Sequence, residues 1–220
     1  MKRGRLSLVA FLSMSDDQKP LRGKFIVFEG GDGSGKSTQA TRLATRLSAL
    51  QTREPGGTPI GDQIRALVLD PAHPELSNRT EALLMAASRS QHVDERIEPA
   101  LSAGTHVVCD RFVASSLAYQ GVGRGLGVDV VADINQFATG GLAADLTVLL
   151  DTDPTAARER LGETLDRIEE AGAALGEKVA ETYRSLAAQN PQGWVVIDAN
   201  GSIDDVAARI DAAISERLGL

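Results

Sequence analysis

Several residue types are scarce in this chain, and each scarcity excludes a class of protein. Its 220 residues include one cysteine, Cys109, and three histidines. A single cysteine cannot form an internal disulfide framework, and with so few histidines no tetrahedral zinc cluster is expected. The sequence therefore predicts a reduced, cytoplasmic protein.

Positive charge and long apolar runs are lacking as well. The 23 Lys and Arg residues are outnumbered by 30 Asp and Glu residues, which gives a formal net charge of −7. Such a chain has no broad basic surface of the kind that binds a nucleic-acid backbone. No apolar run approaches the ~20 residues of a membrane-spanning helix. We therefore expect neither a nucleic acid nor a membrane as a partner.

The N-terminal segment differs in character from the rest of the chain. Basic residues precede an apolar run over 6–12, which is short for a signal peptide and has no clean small-residue cleavage site after it. We expect residues 1–22 to be a disordered or mis-assigned extension, with Met14 as an alternative start. Residues 23–220, in a chain that is 42% hydrophobic, are expected to form one domain.

Short apolar runs alternate with longer helical patterns from residue 24 onward. The four clearest runs are almost continuous in Val, Ile, Leu and Phe, as expected for strands with both faces covered by helices. This alternation predicts an α/β fold of three layers around a five-stranded parallel sheet. The predicted strands are 25–28, 49–53, 106–109, 146–150 and 194–197, and the best-supported helices are 36–47, 80–103, 169–188 and 204–218.

A phosphate-binding motif follows the first predicted strand. Residues 30–37 read GGDGSGKS and match G-x-x-x-x-G-K-[ST] between a strand and a helix, the context that identifies a P-loop. Its glycines let backbone N–H groups curl around phosphate oxygens. Lys36 is expected to reach the β- and γ-phosphates, and the Ser37 hydroxyl to ligate Mg²⁺. The predicted nucleotide-binding residues are Gly30, Gly31, Asp32, Gly33, Ser34, Gly35, Lys36, Ser37 and Thr38.

A P-loop does not say what happens to the γ-phosphate, because switches, motors and kinases all share it. Two acids, Asp110 and Asp151, each end an apolar strand and could organise the metal with its waters. Asp110 is the better candidate, since Asp151 leads into Asp153-Pro154, which is typical of a helix start. A structural ion pair between Asp110 and the adjacent Arg111 is the alternative.

Four separate motifs carry a resemblance to a known family. They are FEGGDGSGKSTQ over 28–39, TREPGGT over 52–58, DRF with SS and AYQ within 110–120, and DRIE over 166–169. Together they closely resemble bacterial thymidylate kinase, and the resemblance extends from about residue 24 to the C-terminus. It implies a P-loop nucleoside monophosphate kinase fold, phosphoryl transfer from MgATP to dTMP to give dTDP and ADP, and a homodimer packed through helices beside the acceptor site.

The resemblance also implies roles for residues around the acceptor. Asp32 resembles the acid that accepts a hydrogen bond from the 3'-hydroxyl, and Arg111 the arginine that holds the acceptor phosphate. Arg89 resembles the arginine that binds the thymine edge, and Tyr119 the ring that packs under the deoxyribose. A loop cap for Asp32, a solvated arginine for Arg89 and core packing for Tyr119 are the alternatives. The other predicted acceptor residues are Arg53, Met85, Ser115, Ser116 and Gln120.

The segment 158–168 resembles the mobile lid of the family. The P-loop has Gly33 and Ser34 where one branch of the family carries an arginine, so the lid must supply the further positive charge that the transition state needs. We expect Arg160 or Arg167 to do so, with pairing to nearby acids as the alternative. The predicted catalytic set is Lys36, Asp110, Arg111, Arg160 and Arg167, with Ser37 and Asp110 as metal ligands.

Three departures from the family accompany this interpretation, and one of them is a lid with fewer arginines than in many bacterial relatives. The segment before Thr52 is about ten residues shorter, which leaves a tight crossover and requires a short second strand. Met85 stands where the family often has a phenylalanine stacked on thymine, although a thioether can also pack on a ring face. Two rival functions stay open: a kinase for another monophosphate or deoxynucleoside, and a non-catalytic P-loop nucleotide switch.

Overall fold

The structure, a computed structural model, describes residues 21–153, 157, 167–168 and 173–220. Most of the predicted lid, including Arg160, lies outside the described residues. The first four residues of the helix predicted over 169–188 and nearly all of the predicted N-terminal extension also lie outside them.

Five parallel strands form one sheet in the order β2-β3-β1-β4-β5. Phe25 pairs with Val107 on one side of β1, and Ile26 pairs with Leu146 on the other. Every predicted strand is confirmed to within one residue at each end, and β2 is short, as the shortened segment required. The strands are β1 Phe25–Glu29, β2 Leu50–Arg53, β3 Val107–Asp110, β4 Leu146–Asp151 and β5 Trp194–Asp198.

Helices cover both faces of the sheet. The predicted helix over 80–103 is in fact interrupted: α3 gives way to a π-helical turn, Val93–Ile97, before α4. Pro99 has no N–H to donate to the carbonyl four residues earlier, and its ring would clash with that carbonyl in a regular α-helix. The wider π-helical turn leaves room for the proline ring. Three helices of the described residues, α2, α5 and α6, lie outside the predicted set. The helices are α1 Lys36–Leu47, α2 Pro59–Leu69, α3 Asn78–His92, α4 Glu98–Ser102, α5 Val113–Ser116, α6 Val128–Thr139, α7 Ala173–Gln189 and α8 Ile203–Leu218.

Two apolar cores lie on opposite faces of the sheet because successive strand residues point to opposite sides. On one face, Ile26 and Phe28 pack with residues of α1 and α8. On the other face, Phe25 and Val27 pack with Ile97 and its neighbours near α4. The three-layer α/β fold is therefore confirmed.

The tight crossover after the P-loop helix is made by two residues. α1 ends at Leu47, and Ser48 takes a left-handed conformation with φ of 51°, which reverses the chain. Its N–H bonds back to the carbonyls of Ala44 and Thr45, so the helix end is capped. β2 then begins at Leu50.

The carboxyl ends of parallel strands meet at one edge of the sheet, where ligands bind in this class of fold. β1 ends just before Gly30, β2 ends at Arg53 and β3 ends at Asp110. The three central motifs of the sequence therefore converge at that edge. Among the described residues, no helix combines the length and the apolar character needed to cross a membrane.

Candidate active site

A cavity of about 760 Å³ runs along this edge of the sheet. The P-loop and the start of α1 line one end of it, and the end of β2, α3 and the segment after β3 line the other. The predicted site residues that it brings together are Asp32, Gly33, Ser34, Gly35, Lys36, Ser37, Thr38, Arg53, Met85, Arg89, Asp110, Arg111, Ser115, Ser116, Tyr119 and Gln120.

The P-loop conformation requires glycine at two positions with positive φ. Gly30 has φ of 148°, and a Cβ there would lie 2.7 Å from the carbonyl oxygen of Leu150. Gly33 has φ of 77°, and a Cβ there would overlap the carbonyl oxygen of Ala157. Any larger residue at either position would strain the backbone as well as clash.

Lys36 begins α1 and points back into the loop. Its Nζ donates to the carbonyl oxygen of Gly31 at 2.7 Å. Burial and the charge of Arg111 together lower the pKa of Lys36 to about 8, although the charges of nearby carboxylates oppose the shift. The loop therefore holds a buried cation that is short of negative charge, which is what a phosphate would supply.

Asp110, not Asp151, lies next to the P-loop serine. Ser37 Oγ donates to Asp110 Oδ2 at 2.5 Å, while Asp110 Oδ1 is buried and has no hydrogen-bond partner in the described part of the chain. Asp151 instead accepts from Arg184 at 2.8 Å. A hydroxyl and a carboxylate with a free oxygen are hard ligands of the kind that Mg²⁺ prefers.

Arg111 links the P-loop to the other end of the cavity. Its backbone adopts φ of 69°, which is rare for a residue with a side chain. Its guanidinium pairs with the carboxylate of Asp32 and lies 5.4 Å from the centre of the Tyr119 ring. It also donates to Ser115 Oγ and Tyr183 OH, each at 3.2 Å. An arginine held from so many sides has one defined orientation.

Glu29, which the sequence analysis did not single out, holds the backbone after Arg111. Its Oε1 accepts the N–H groups of Phe112 at 2.9 Å and Ser115 at 3.1 Å, and its Oε2 accepts the Ser115 hydroxyl at 2.7 Å. Burial raises the pKa of Glu29, although Arg111 and these hydrogen bonds oppose the shift. Glu29 thus couples the end of β1 to the conformation of Arg111.

Asp32 faces the cavity between two partners. It pairs with Arg111, and its Oδ2 accepts from Tyr119 OH at 2.9 Å. Burial alone would raise the pKa of Asp32, but the charges of Arg111 and Lys36 outweigh it and the pKa lies below its ordinary value. Asp32 is therefore an ionised hydrogen-bond acceptor at neutral pH.

Arg89 is buried rather than solvated, and four of its five N–H groups are occupied. Nε donates to Glu54 Oε2 at 2.6 Å, Nη1 donates to Ser116 Oγ and Asn135 Oδ1, and Nη2 donates to the Phe112 carbonyl at 3.1 Å. Within the described residues one N–H of Nη2 is left over, on a side chain that lines the cavity.

Sequence comparison places these motifs in a family. A family model described as thymidylate kinase matches residues 28–210. The chain belongs to the thymidylate kinase family. A thymidylate kinase of Geobacillus sp. (strain WCH70) is 44% identical over 207 residues, which are 90% of this chain and 99% of that one. The thymidylate kinase of Symbiobacterium thermophilum is 48% identical over 200 residues, which are 88% and 94% of the two chains.

A solved structure agrees with this assignment. The crystal structure of thymidylate kinase from Ehrlichia chaffeensis matches with a TM-score of 0.72 and 29% identity, and covers 88% of this chain and 99% of that one. The resemblance to thymidylate kinases, the P-loop nucleoside monophosphate kinase fold and membership of this class of phosphotransferase are thereby confirmed.

In this thymidylate kinase site Met85 lies in the wall of the cavity, whereas Arg167 is not one of its lining residues. Met85 is buried, lines the cavity and packs with Val68 and Ile168. Arg167 Nη2 lies 2.5 Å from Glu81 Oε2, and its Nε donates to the Val68 carbonyl at 2.8 Å. The guanidinium is therefore held away from the P-loop, and a catalytic role for Arg167 stays a prediction. Arg160 lies outside the described residues.

Sequence reasoning missed several buried polar residues that surround the site. Glu81 accepts from Gln120, and His92 bonds to Glu54 at 2.9 Å and to Thr52 at 2.6 Å. These acids and the histidine occur in helices or turns with no motif spacing of their own. Among these residues, only Glu54 could have been noticed in the sequence, because it lies within the TREPGGT motif.

Proposed function

We propose that this chain catalyses transfer of the γ-phosphoryl group of ATP to dTMP, giving dTDP and ADP. The observation that carries this proposal is that one cavity joins the P-loop to the Arg89 and Tyr119 end, with Arg111 between them. A switch needs only the first of these ends. Placing donor and acceptor in one enclosed space supplies most of what phosphoryl transfer requires, because positioning and charge stabilisation dominate its catalysis.

The donor end holds ATP through the P-loop backbone, Lys36 and Ser37. The buried ammonium of Lys36 exchanges the Gly31 carbonyl for oxygens of the β- and γ-phosphates. Ser37 and Asp110 are the residues that would hold Mg²⁺, supported by the free Oδ1 of Asp110. When bound, the ion neutralises charge between the β- and γ-phosphates.

The acceptor end holds dTMP through charge at the phosphate and shape at the base. Arg111 binds the acceptor phosphate, since its planar fork suits phosphate oxygens. Asp32, ionised beside it, accepts from the 3'-hydroxyl, and the Tyr119 ring packs under the deoxyribose. The one unoccupied N–H of Arg89 donates to a thymine carbonyl, and Met85 packs on the base.

The remaining positive charge comes from the segment 158–168. Arg160 or Arg167 reaches the transferring phosphoryl group when this lid closes. For Arg167 that requires release from Glu81, the ion pair described above. In related phosphoryl transfers, an arginine that enters the site on closure increases kcat by a factor of about 10³ to 10⁵.

The chain acts as a homodimer through α3 and α6. Four large apolar side chains on these neighbouring helices are exposed to solvent: Leu83 at 57%, Val128 at 36%, Val130 at 56% and Phe137 at 91%. Val130, Ile134 and Phe137 recur at helical spacing on one face of α6. The opposite side of α3 carries Met85 and Arg89 into the cavity, so a second copy packed on this surface would buttress the acceptor site.

We place the protein in the cytoplasm, where its substrates and a reducing environment are found. Cys109 is buried with a free thiol. A free thiol is the expected state in a reducing compartment.

The test is ADP formation with MgATP and a panel of acceptors: dTMP, dUMP, dCMP, UMP, AMP and thymidine at equal concentration. Much the highest kcat/KM is expected for dTMP. A preference for another monophosphate or for thymidine would instead support the rival kinase. Slow ATP hydrolysis that no acceptor stimulates would support a nucleotide switch and contradict the proposal.

A further inference from the structure

Glu81 is a buried carboxylate that belongs to none of the sequence motifs. It lies in the first turn of α3, and its side chain is fully buried. Its Oε1 accepts from Gln120 Nε2 at 2.8 Å and from Arg124 Nε at 3.2 Å. Its Oε2 accepts from Arg167 Nη2 at 2.5 Å. The charge of the Glu81 carboxylate is therefore balanced by two arginines, and the carboxylate also accepts a hydrogen bond from the Gln120 amide.

The ionised state of Glu81 decides which way the Gln120 amide is turned. Burial alone would raise the pKa of Glu81, but hydrogen bonds from Gln120, Arg167 and Arg124 outweigh it, so the pKa lies below its ordinary value. An ionised carboxylate has no proton to donate. Gln120 must therefore present its NH₂ group to Glu81, because its oxygen would face a negative charge.

The other half of the Gln120 amide is left for a ligand. Gln120 lines the cavity, and its Oε1 has no hydrogen-bond partner among the residues that the structure describes. Unlike the unpaired Oδ1 of Asp110, this oxygen is not completely shielded from solvent. The pocket therefore presents a hydrogen-bond acceptor whose orientation is fixed from behind.

This matters because pyrimidine bases differ in hydrogen bonding at ring position 3. Thymine and uracil carry an N3–H donor there, whereas the N3 of cytosine is an acceptor. An oxygen fixed toward that position accepts from the first two and repels the third. Enzymes that read a base by its Watson–Crick edge discriminate in this manner.

We propose that Glu81 is a positioning residue that locks the Gln120 amide with its oxygen toward the base, and so selects an acceptor with an N3–H over dCMP. The inference rests on the proposed function. Glu81 acts through Gln120 and does not itself touch the acceptor.

The test is Glu81→Gln, which preserves size but can donate as well as accept. Gln120 is then free to turn, so the ratio of kcat/KM for dTMP to that for dCMP is expected to fall by about 10- to 100-fold. The ratio of dTMP to dUMP is expected to stay unchanged, because both bases carry N3–H. A loosened pocket would alter both ratios.

Glu95→Gln is the matched control. Gln91 Nε2 donates to Glu95 Oε2 at 2.8 Å on the exposed side of the chain, so this substitution makes the same change in a similar Gln–Glu pair outside the cavity. Both ratios are expected to match those of the wild-type protein.

An unchanged dTMP to dCMP ratio in Glu81→Gln, or equal losses with dTMP, dUMP and dCMP, would overturn the inference and leave Glu81 a structural residue. Should that variant not fold, a crystal structure of the wild-type protein with dTMP decides. Gln120 Oε1 within hydrogen-bond distance of N3, with Nε2 still on Glu81, supports the inference, and a side chain turned from Glu81 refutes it. A wild-type protein without dTMP-dependent turnover contradicts the proposed function itself, and the inference with it.

Discussion

Replacing Glu54 by glutamine removes the buried negative charge on which Arg89 depends. Glu54 Oε2 lies 2.6 Å from Arg89 Nε, and Oε1 lies 2.9 Å from His92 Nδ1. The side chains of Arg89 and Glu54 are 3% and 1% exposed, so water cannot replace the lost charge. The remaining partners of Arg89 are neutral: Ser116, Asn135 and a backbone carbonyl.

The size of the effect follows from this burial. Breaking a buried ion pair by removing one partner costs about 3 to 5 kcal/mol, because a charge is left without compensation. Glutamine keeps one acceptor oxygen, so we expect about 3 kcal/mol for Glu54→Gln. For a chain of this length each kcal/mol lowers Tm by about 2 to 4 °C, which gives a decrease of about 6 to 12 °C.

Thermal unfolding of the ligand-free protein measures this directly, with Glu98→Gln as the control. Glu98 pairs with Arg22 at 3.4 Å, and these side chains are 42% and 46% exposed. Exposed pairs contribute about 1 kcal/mol or less, so the control is expected to unfold near the wild-type Tm. The kcat/KM for dTMP should also fall in Glu54→Gln, since Arg89 loses its fixed orientation. A Glu54→Gln protein that unfolds within about 2 °C of wild type would refute the reasoning.

Four further predictions follow from the site. dUMP should be a poor but real substrate. Its kcat/KM should be about 10- to 200-fold lower than that of dTMP, because one methyl group contributes ~1 to 3 kcal/mol of binding in an apolar pocket. Equal values of kcat/KM would contradict a pocket that recognises the methyl group. Alanine at Arg160 or Arg167 should lower kcat in at least one case, and unchanged kcat in both would dismiss the lid arginines. Lys36→Met should abolish turnover yet raise the Tm of the nucleotide-free protein at pH 7. Folding lowers the pKa of Lys36 from 10.5 to about 8, so the unfolded chain holds this proton more tightly and the gain should shrink as pH rises through that interval; a gain independent of pH would contradict the assignment. Phe137→Asp should convert a dimer to a monomer in analytical ultracentrifugation, and an unaltered sedimentation coefficient would exclude α6 from the interface.

Local signals explain which elements could be predicted. Four of the five strands are nearly continuous apolar runs, and such runs do not depend on distant contacts for their recognition, whereas β2 reads LQTR. α2 could also have been found, because Thr58 accepts from Gly61 N–H as its N-cap and Pro59 opens the helix. The π-helical turn before α4 has no such signal beyond Pro99, since its widened geometry depends on packing on both sides.

By itself, the sequence determined the α/β fold, the P-loop and many of the residues that line one cavity, because glycine spacing, strand-end acids and motif order are properties of neighbours along the chain. Only the tertiary structure decided how those residues are held. Glu29, Glu54 and Glu81 are distant in sequence from the arginines and the amide that they orient, and nothing in their local surroundings marks them as buried. A buried carboxylate acquires its role from the donors that the fold brings to it, and these contacts exist only once the sheet edge and α3 have been assembled.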